Sequence, residues 1–250
     1  MRVIELWYNS RGTTKMLPPL DPGLVGIVCR VSSAPSRCAV SGHRQPRGFS
    51  GGHMTDSTPA IDRDHAALLV MDYQPGIVDM VSDGAALVRR MAETIAVARA
   101  RGVRIGYVRV AFDEADYDAI PSANKSFSGI AAARRMPDGS SESAVHPDLA
   151  PAPGDIVVRK TRVGAFSTTD LDRQLRDRGI DTLILAGIST SGVVLSTVRD
   201  AADRDYRVYV LEDGSADPDG EVHALLTKRV FPRQAYVISV AELPKLLPVE

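Results

Sequence analysis

The chain has 250 residues, enough for one domain with a well-filled core, and it contains no apolar run of about 18 residues that would cross a membrane. At 44% hydrophobic, 24% charged and a formal net charge of −1, its balance calls for neither nucleic acid nor an anionic membrane as partner. The two cysteines, Cys29 and Cys38, lie near the start, which excludes a disulfide framework or a Cys-based zinc site for the remainder and leaves it without a thiol nucleophile.

Residues 1–53 mix Pro, Gly, Ser and Arg without a sustained period. Arg2, Arg11, Lys15, Arg30, Arg37, Arg44 and Arg47 face only Glu5 and Asp21 there. The run Leu24 to Val31 is too short, and too polar at its flanks, for a signal-peptide core. This leader is expected to stand outside the fold, as a start codon assigned too early or appended sequence ending in Gly-Gly-His before Met54. A targeting or regulatory extension is the other reading. A single, mildly acidic domain is then expected over 54–250, in the cytoplasm.

From His65 the pattern becomes regular. Ala66 to Met71 is a continuous apolar run of strand length that stops at Asp72-Tyr73-Gln74-Pro75-Gly76. Leu87, Val88, Met91, Ile95 and Ala98 then recur at helical spacing over 83–101, with Gly102 placed as a C-cap. Val103 to Val110 reads as the second strand. Residues 111–154 are the least regular part, with a short helix expected through Ile130 to Arg135; a long excursion after a strand is either a lid or specificity segment or a surface excursion with no role. Asp155 to Arg159 reads as a third strand delivering Lys160, followed by a helix from Leu171 to Arg178. Thr182 to Ala186 is a fourth strand, and the turn Gly187-Ile188-Ser189-Thr190-Ser191-Gly192 leads straight into a helix carrying Val194, Leu195, Val198 and Ala201. Tyr206 to Leu211 and Ala235 to Ile238 complete six strands, with helices expected over Pro218 to Phe231 and Val240 to Leu247. Alternation at this spacing predicts an α/β fold: three layers, α/β/α, around a parallel sheet of about six strands.

Three groups able to do chemistry fall at strand carboxyl ends, where open α/β sheets form their sites: Asp72, Lys160, and the turn from Gly187 to Val193. An acid, an amine and a set of backbone donors converging on one edge is a catalytic pattern, although an Asp after a strand is also a common turn former and a Lys there is often solvated. Phe112, Tyr73, Phe127 and Phe166 are candidate pocket walls or simple core. Arg162 could meet an anionic group by paired hydrogen bonds or make a surface salt bridge. His223, on a helix, reads as a packed or capping residue. No Gly-x-Gly-x-x-Gly follows a strand, so no dinucleotide is expected.

The segments Leu68 to Gln74, Val158 to Arg162 with Ala165-Phe166, and Gly187 to Val194 with Thr197 and Ala201 together resemble the isochorismatase-like hydrolase superfamily, over about His65 to Leu243. The resemblance implies a Rossmann-like fold and a catalytic Asp, Lys and Cys. The Asp carries over to Asp72 and the Lys to Lys160, while the position of the Cys falls on Val193, with Gly192 before it. Valine cannot attack a carbonyl, so the thioester route of the cysteine members is expected to be absent.

Members that cleave a vinyl ether need no thiol. By this resemblance Asp72 would act as general acid, with Lys160 orienting it, on a small and anionic enol ether or related metabolite. A catalytically silent binding protein and a water-using amidohydrolase are the alternatives. Substrate contacts are expected from Gln74, Phe127, Arg162, Phe166, Ser189, Thr190 and Gly192, and the turn after Ile188 is where such proteins often carry a cis peptide. Some relatives bind zinc after the second strand, but Val110 to Glu114 holds no histidine, so neither a metal nor a cofactor is expected. The resemblance further implies a homodimer or homotetramer, a small-molecule substrate, and a place in secondary metabolism.

Overall fold

A computed structural model describes residues 58–248. They fall in the second of the two units into which the chain divides, Thr55–Glu250. The expectations for the leader, and for Cys29 and Cys38, lie outside the described residues.

The strands β1 (Ala66–Met71), β2 (Arg104–Val110), β3 (Ile156–Lys160), β4 (Thr182–Ile188), β5 (Arg207–Ala216) and β6 (Tyr236–Ile238) form one sheet in the order β3-β2-β1-β4-β5-β6. Every pairing is parallel. All residues of β1 and β4 are buried, as expected of central strands covered on both faces. The side chains of β1, β4 and β5 alternate between two cores. Leu68, Val70, Ile184, Ala186 and Tyr209 face the long helix α2 (Gly84–Ala100) through Leu87, Met91 and Ile95. Leu69, Met71, Leu183, Leu185 and Val210 face α5 (Leu171–Arg176) and α6 (Leu195–Asp203) through Leu171, Leu175, Val198 and Ala201.

The chain builds outward from β1 through β2 to β3, then returns to lay β4 on the other side of β1. The reversal puts a topological switch point between the carboxyl ends of β1 and β4, where a crevice opens in this class of sheet. Gly187 permits the close approach there: a Cβ on it would lie 3.0 Å from Val194 Cγ2 and 3.1 Å from the Met71 carbonyl oxygen.

The excursion after β2 is more ordered than its sequence indicates. It contains α3 (Glu114–Asp118), closed by a capping box between Asp113 and Asp116, and α4 (Ser128–Ala132). Phe112, Tyr117, Ile120, Phe127 and Met136 make a small core of their own with Val110. Arg109 binds Asp138 at 2.7 Å, and Arg159 pairs with Asp113, Asp116 and Asp138, so charges on β2 and β3 moor the excursion to the sheet. Among the described residues no helix is long and apolar enough to cross a membrane.

Candidate active site

Asp72 follows the last residue of β1 with φ of 58°, in the left-handed region that few residues other than Gly, Asn and Asp adopt. Its amide hydrogen-bonds the Val108 carbonyl at 2.8 Å, which holds the carboxyl over the sheet edge. Lys160 ends β3, two strands away and thus about 10 Å at ordinary strand spacing. A long side chain is needed to span β2, and the Lys160 ammonium reaches Asp72 Oδ2 at 2.8 Å. It also donates to the Arg162 carbonyl oxygen at 3.1 Å.

The pair is buried, Lys160 at 2% and Asp72 at 5% exposure. Asp72 Oδ1 has no hydrogen-bond partner among the described residues. Burial dominates the proton affinity of Asp72 and pushes its pKa above the ordinary carboxylate value, while the charge and hydrogen bond of Lys160 pull the other way. One oxygen is therefore clamped by the ammonium, and the other is left on a carboxyl that holds its proton more tightly than usual.

The turn after β4 closes the site from the other side of β1. The Ile188–Ser189 peptide is cis. Thr190–Val194 winds as a single π-helical turn into α6. Two of the turn's amides are already engaged: Ser191 N–H donates to Asp217 Oδ2 at 2.7 Å, and Gly192 N–H donates to Ser189 Oγ at 3.1 Å.

Asp72, Lys160, Ser189, Gly192 and Val193 share the wall of a cavity of about 330 Å³. This lies at the small end of small-molecule sites. Val193 is 2% exposed, so a branched hydrocarbon stands on the wall beside the acid and the amine. Phe127 of the excursion lines it as well, with Ile130, Arg135 and Met136. Sequence reasoning missed the last three, together with Ile77 and Met80 from the short helix α1 (Pro75–Val78) and its end. Proline at the first helical position of α1 was the signal available for that element.

Four residues expected to contact substrate lie elsewhere. Gln74 is fully buried and spends its amide on backbone: Nε2 donates to the carbonyls of Val110 (2.8 Å) and Ser143 (2.7 Å), and Oε1 accepts from Val110 N–H (2.8 Å). Phe166 stacks on Tyr206 with ring centroids 6.0 Å apart, within the α5–α6 core. Thr190 is buried, its Oγ1 paired with His223 Nδ1 at 2.8 Å. Arg162 donates to its neighbour's carbonyl, Thr161 O, and its guanidinium lies 5.8 Å from the centroid of Phe127. Of the other candidate walls, Tyr73 donates to the Gly214 carbonyl at 2.7 Å and Phe112 stacks on Tyr117, so both serve the core. Burial lowers the pKa of His223. Among the described residues no group of three or more His, Cys, Asp or Glu side chains is placed to hold a metal ion.

Comparison with known proteins bears on the family and the fold. The isochorismatase domain model matches residues 66–242. Ureidoacrylate amidohydrolase RutB of Methylorubrum extorquens is 35% identical over 202 residues, covering 71% of this chain and 81% of that protein. The uncharacterized isochorismatase family protein YwoC of Bacillus subtilis is 33% identical over 177 residues, covering 71% of this chain and 91% of its own length. Among solved structures, an isochorismatase family protein from Burkholderia thailandensis superposes with a TM-score of 0.66 at 31% identity, over 76% of this chain and 99% of that one. N-carbamoylsarcosine amidase from Thermoplasma acidophilum gives 0.57 at 28% identity, over 70% and 96%. A parallel six-stranded sheet, an acid and an amine joined at its switch point, and a match over most of the chain lead to one conclusion: this protein belongs to the isochorismatase family of hydrolases.

Proposed function

We propose that the protein is a thiol-independent hydrolase in which Asp72 transfers the proton and Lys160 positions it, acting on a small enol ether. The observation that carries this reading is the unpartnered Oδ1 of a buried Asp72, on the wall of a cavity that Val193 also lines. Asp72 gives its proton to the terminal enol carbon, leaving an oxocarbenium ion. Water adds to the carbon bearing the oxygen, its surplus proton returns to Asp72, and the hemiketal or hemiacetal collapses to a carbonyl compound and an alcohol. Lys160 keeps one carboxyl oxygen occupied, so the proton resides on the other.

Two relatives are named as amide hydrolases, which keeps water-driven amide cleavage as the second reading. That route needs donors for a tetrahedral oxyanion. The engagement of Ser191 and Gly192 N–H by Asp217 and Ser189 weighs against it.

The test is turnover of a panel of enol ethers, including isochorismate, and of ureido acids and simple amides, by the unmodified protein and by Asp72→Asn. Enol ether cleavage that is lost in the variant supports the proposal. Amide cleavage without enol ether cleavage refutes it in favour of the second reading, and ligand binding with no turnover of any member refutes both.

A further inference from the structure

Both cations on the cavity wall are engaged. Lys160 hydrogen-bonds Asp72 Oδ2 and the Arg162 carbonyl. The other cation on the wall, Arg135, is held by Glu142 at 2.7 Å, and Glu142 also accepts from Met136 N–H at 3.3 Å. The hydrogen bond from Arg135 keeps the Glu142 carboxyl below its ordinary pKa, so it is charged at neutral pH. Gly76 makes room for this arrangement, since a Cβ there would lie 2.7 Å from Glu142 Cγ.

Apart from the Ser189 hydroxyl and the glycine backbone of the turn, the remaining wall is mostly hydrocarbon or thioether, with Ile77, Met80, Phe127, Ile130, Met136 and Val193 among its side chains. Arg162 is not on the wall. A carboxylate entering this space would give up its hydration and find both wall cations already engaged, Arg135 by Glu142 and the Lys160 ammonium by Asp72 Oδ2 and the Arg162 carbonyl.

We infer that the substrate has an uncharged, apolar body, with one ether or carbonyl oxygen turned toward Asp72, and that Glu142, by neutralising Arg135, is the residue that excludes carboxylated molecules. This rests on the reading of the cavity as the substrate site. Its size suits a ring or branched chain occupying the space of about eleven waters. Where the sequence suggested an anionic substrate, the cavity wall argues for a neutral one.

The test is calorimetric titration of the full chain with phenylacetamide and with phenylacetate, which share a body and differ in charge. The unmodified protein should bind the amide about tenfold more tightly than the acid. Glu142→Gln, which frees Arg135, should erase or reverse that preference. Should this variant fail to fold by circular dichroism, Gly76→Ala displaces the same carboxylate and should act in the same direction. Equal or tighter binding of phenylacetate by the unmodified protein, no binding of phenylacetamide, or an unchanged ratio in a folded variant overturns the inference. Acetaldehyde release from phenyl vinyl ether is followed in parallel. Absence of turnover of this and every other enol ether of the panel, alongside the expected binding preference, refutes the acid-catalysed reading and leaves the inference standing.

Discussion

Gln74 and Val110 hydrogen-bond to each other twice, the side-chain amide giving to the carbonyl and accepting from the N–H of one residue, both at 2.8 Å. The side chain acts as an extra strand residue at the end of β2. With its third bond, to Ser143, it joins the β1 exit, the end of β2 and the return of the excursion behind the active-site acid. Gln74→Leu leaves one buried N–H and two carbonyls without this partner, and an unfolding free energy lower by about 2–4 kcal/mol is expected from urea titration.

The raised proton affinity of Asp72 sets the sign of the pH dependence. As a general acid it works when protonated, so kcat/KM is expected to be level at low pH and to fall as pH rises through a value above the ordinary carboxylate range. Lys160→Met removes the two influences that lower that value, and the falling limb should move to higher pH. A falling limb that stays in place would show that another group titrates there.

The same variant has a stability signature. Without Lys160 the folded-state pKa of Asp72 lies further above its unfolded value, which is about 4. Folding then retains its full strength below that unfolded value and loses it as pH climbs through the folded one. Lys160→Met should therefore be close to the unmodified protein near pH 4 and about 3–5 kcal/mol less stable at neutral pH, as measured by denaturant titration at both.

Val193→Cys tests the geometry of the wall by adding chemistry to it. A thiol at this place beside Asp72 and Lys160 is expected to confer amide hydrolysis that iodoacetamide abolishes, where the unmodified protein is insensitive to the reagent. A folded variant with no such activity would mean that the turn does not present residue 193 as the resemblance requires.

Gly187→Ala probes the switch point itself. The new methyl would press on Val194 Cγ2, which can move, and on the Met71 carbonyl, which cannot without shifting β1. A loss of about 1–3 kcal/mol is expected, partly recovered by Val194→Ala in the same chain, with thermal midpoints as the readout.

Much of this architecture was legible in the sequence because parallel strands buried on both faces are written as unbroken apolar runs. Leu68 to Met71 and Leu183 to Ala186 are of that kind, and Asp72 and Lys160 stand out as polar residues where such runs stop. Strand ends were harder. β5 was expected to stop at Leu211, since Glu212, Asp213 and Gly214 look like a turn, yet it runs to Ala216 because Ser215 and Ala216 pair with Gly187 and Ile188 beyond a register shift. Tertiary pairing overrode local preference there. In the site, nothing in a single sequence distinguishes a glutamine facing substrate from one clamping backbone, so Gln74 was misplaced. Arg135 and Glu142 come from the excursion, whose helices are only five residues long and carry too few repeats for a period to show.

The left-handed backbone at Asp72 separates two properties that substitution usually confounds. Asparagine tolerates that conformation and can still accept from the Lys160 ammonium, whereas alanine or glutamate would add a torsional penalty to the chemical change. Asparagine thus removes the acidity of this position while keeping its bond to Lys160. Inactivity of an Ala variant would say as much about a bent main chain as about a missing proton, and that of a Glu variant, which keeps an acid, would speak of geometry alone.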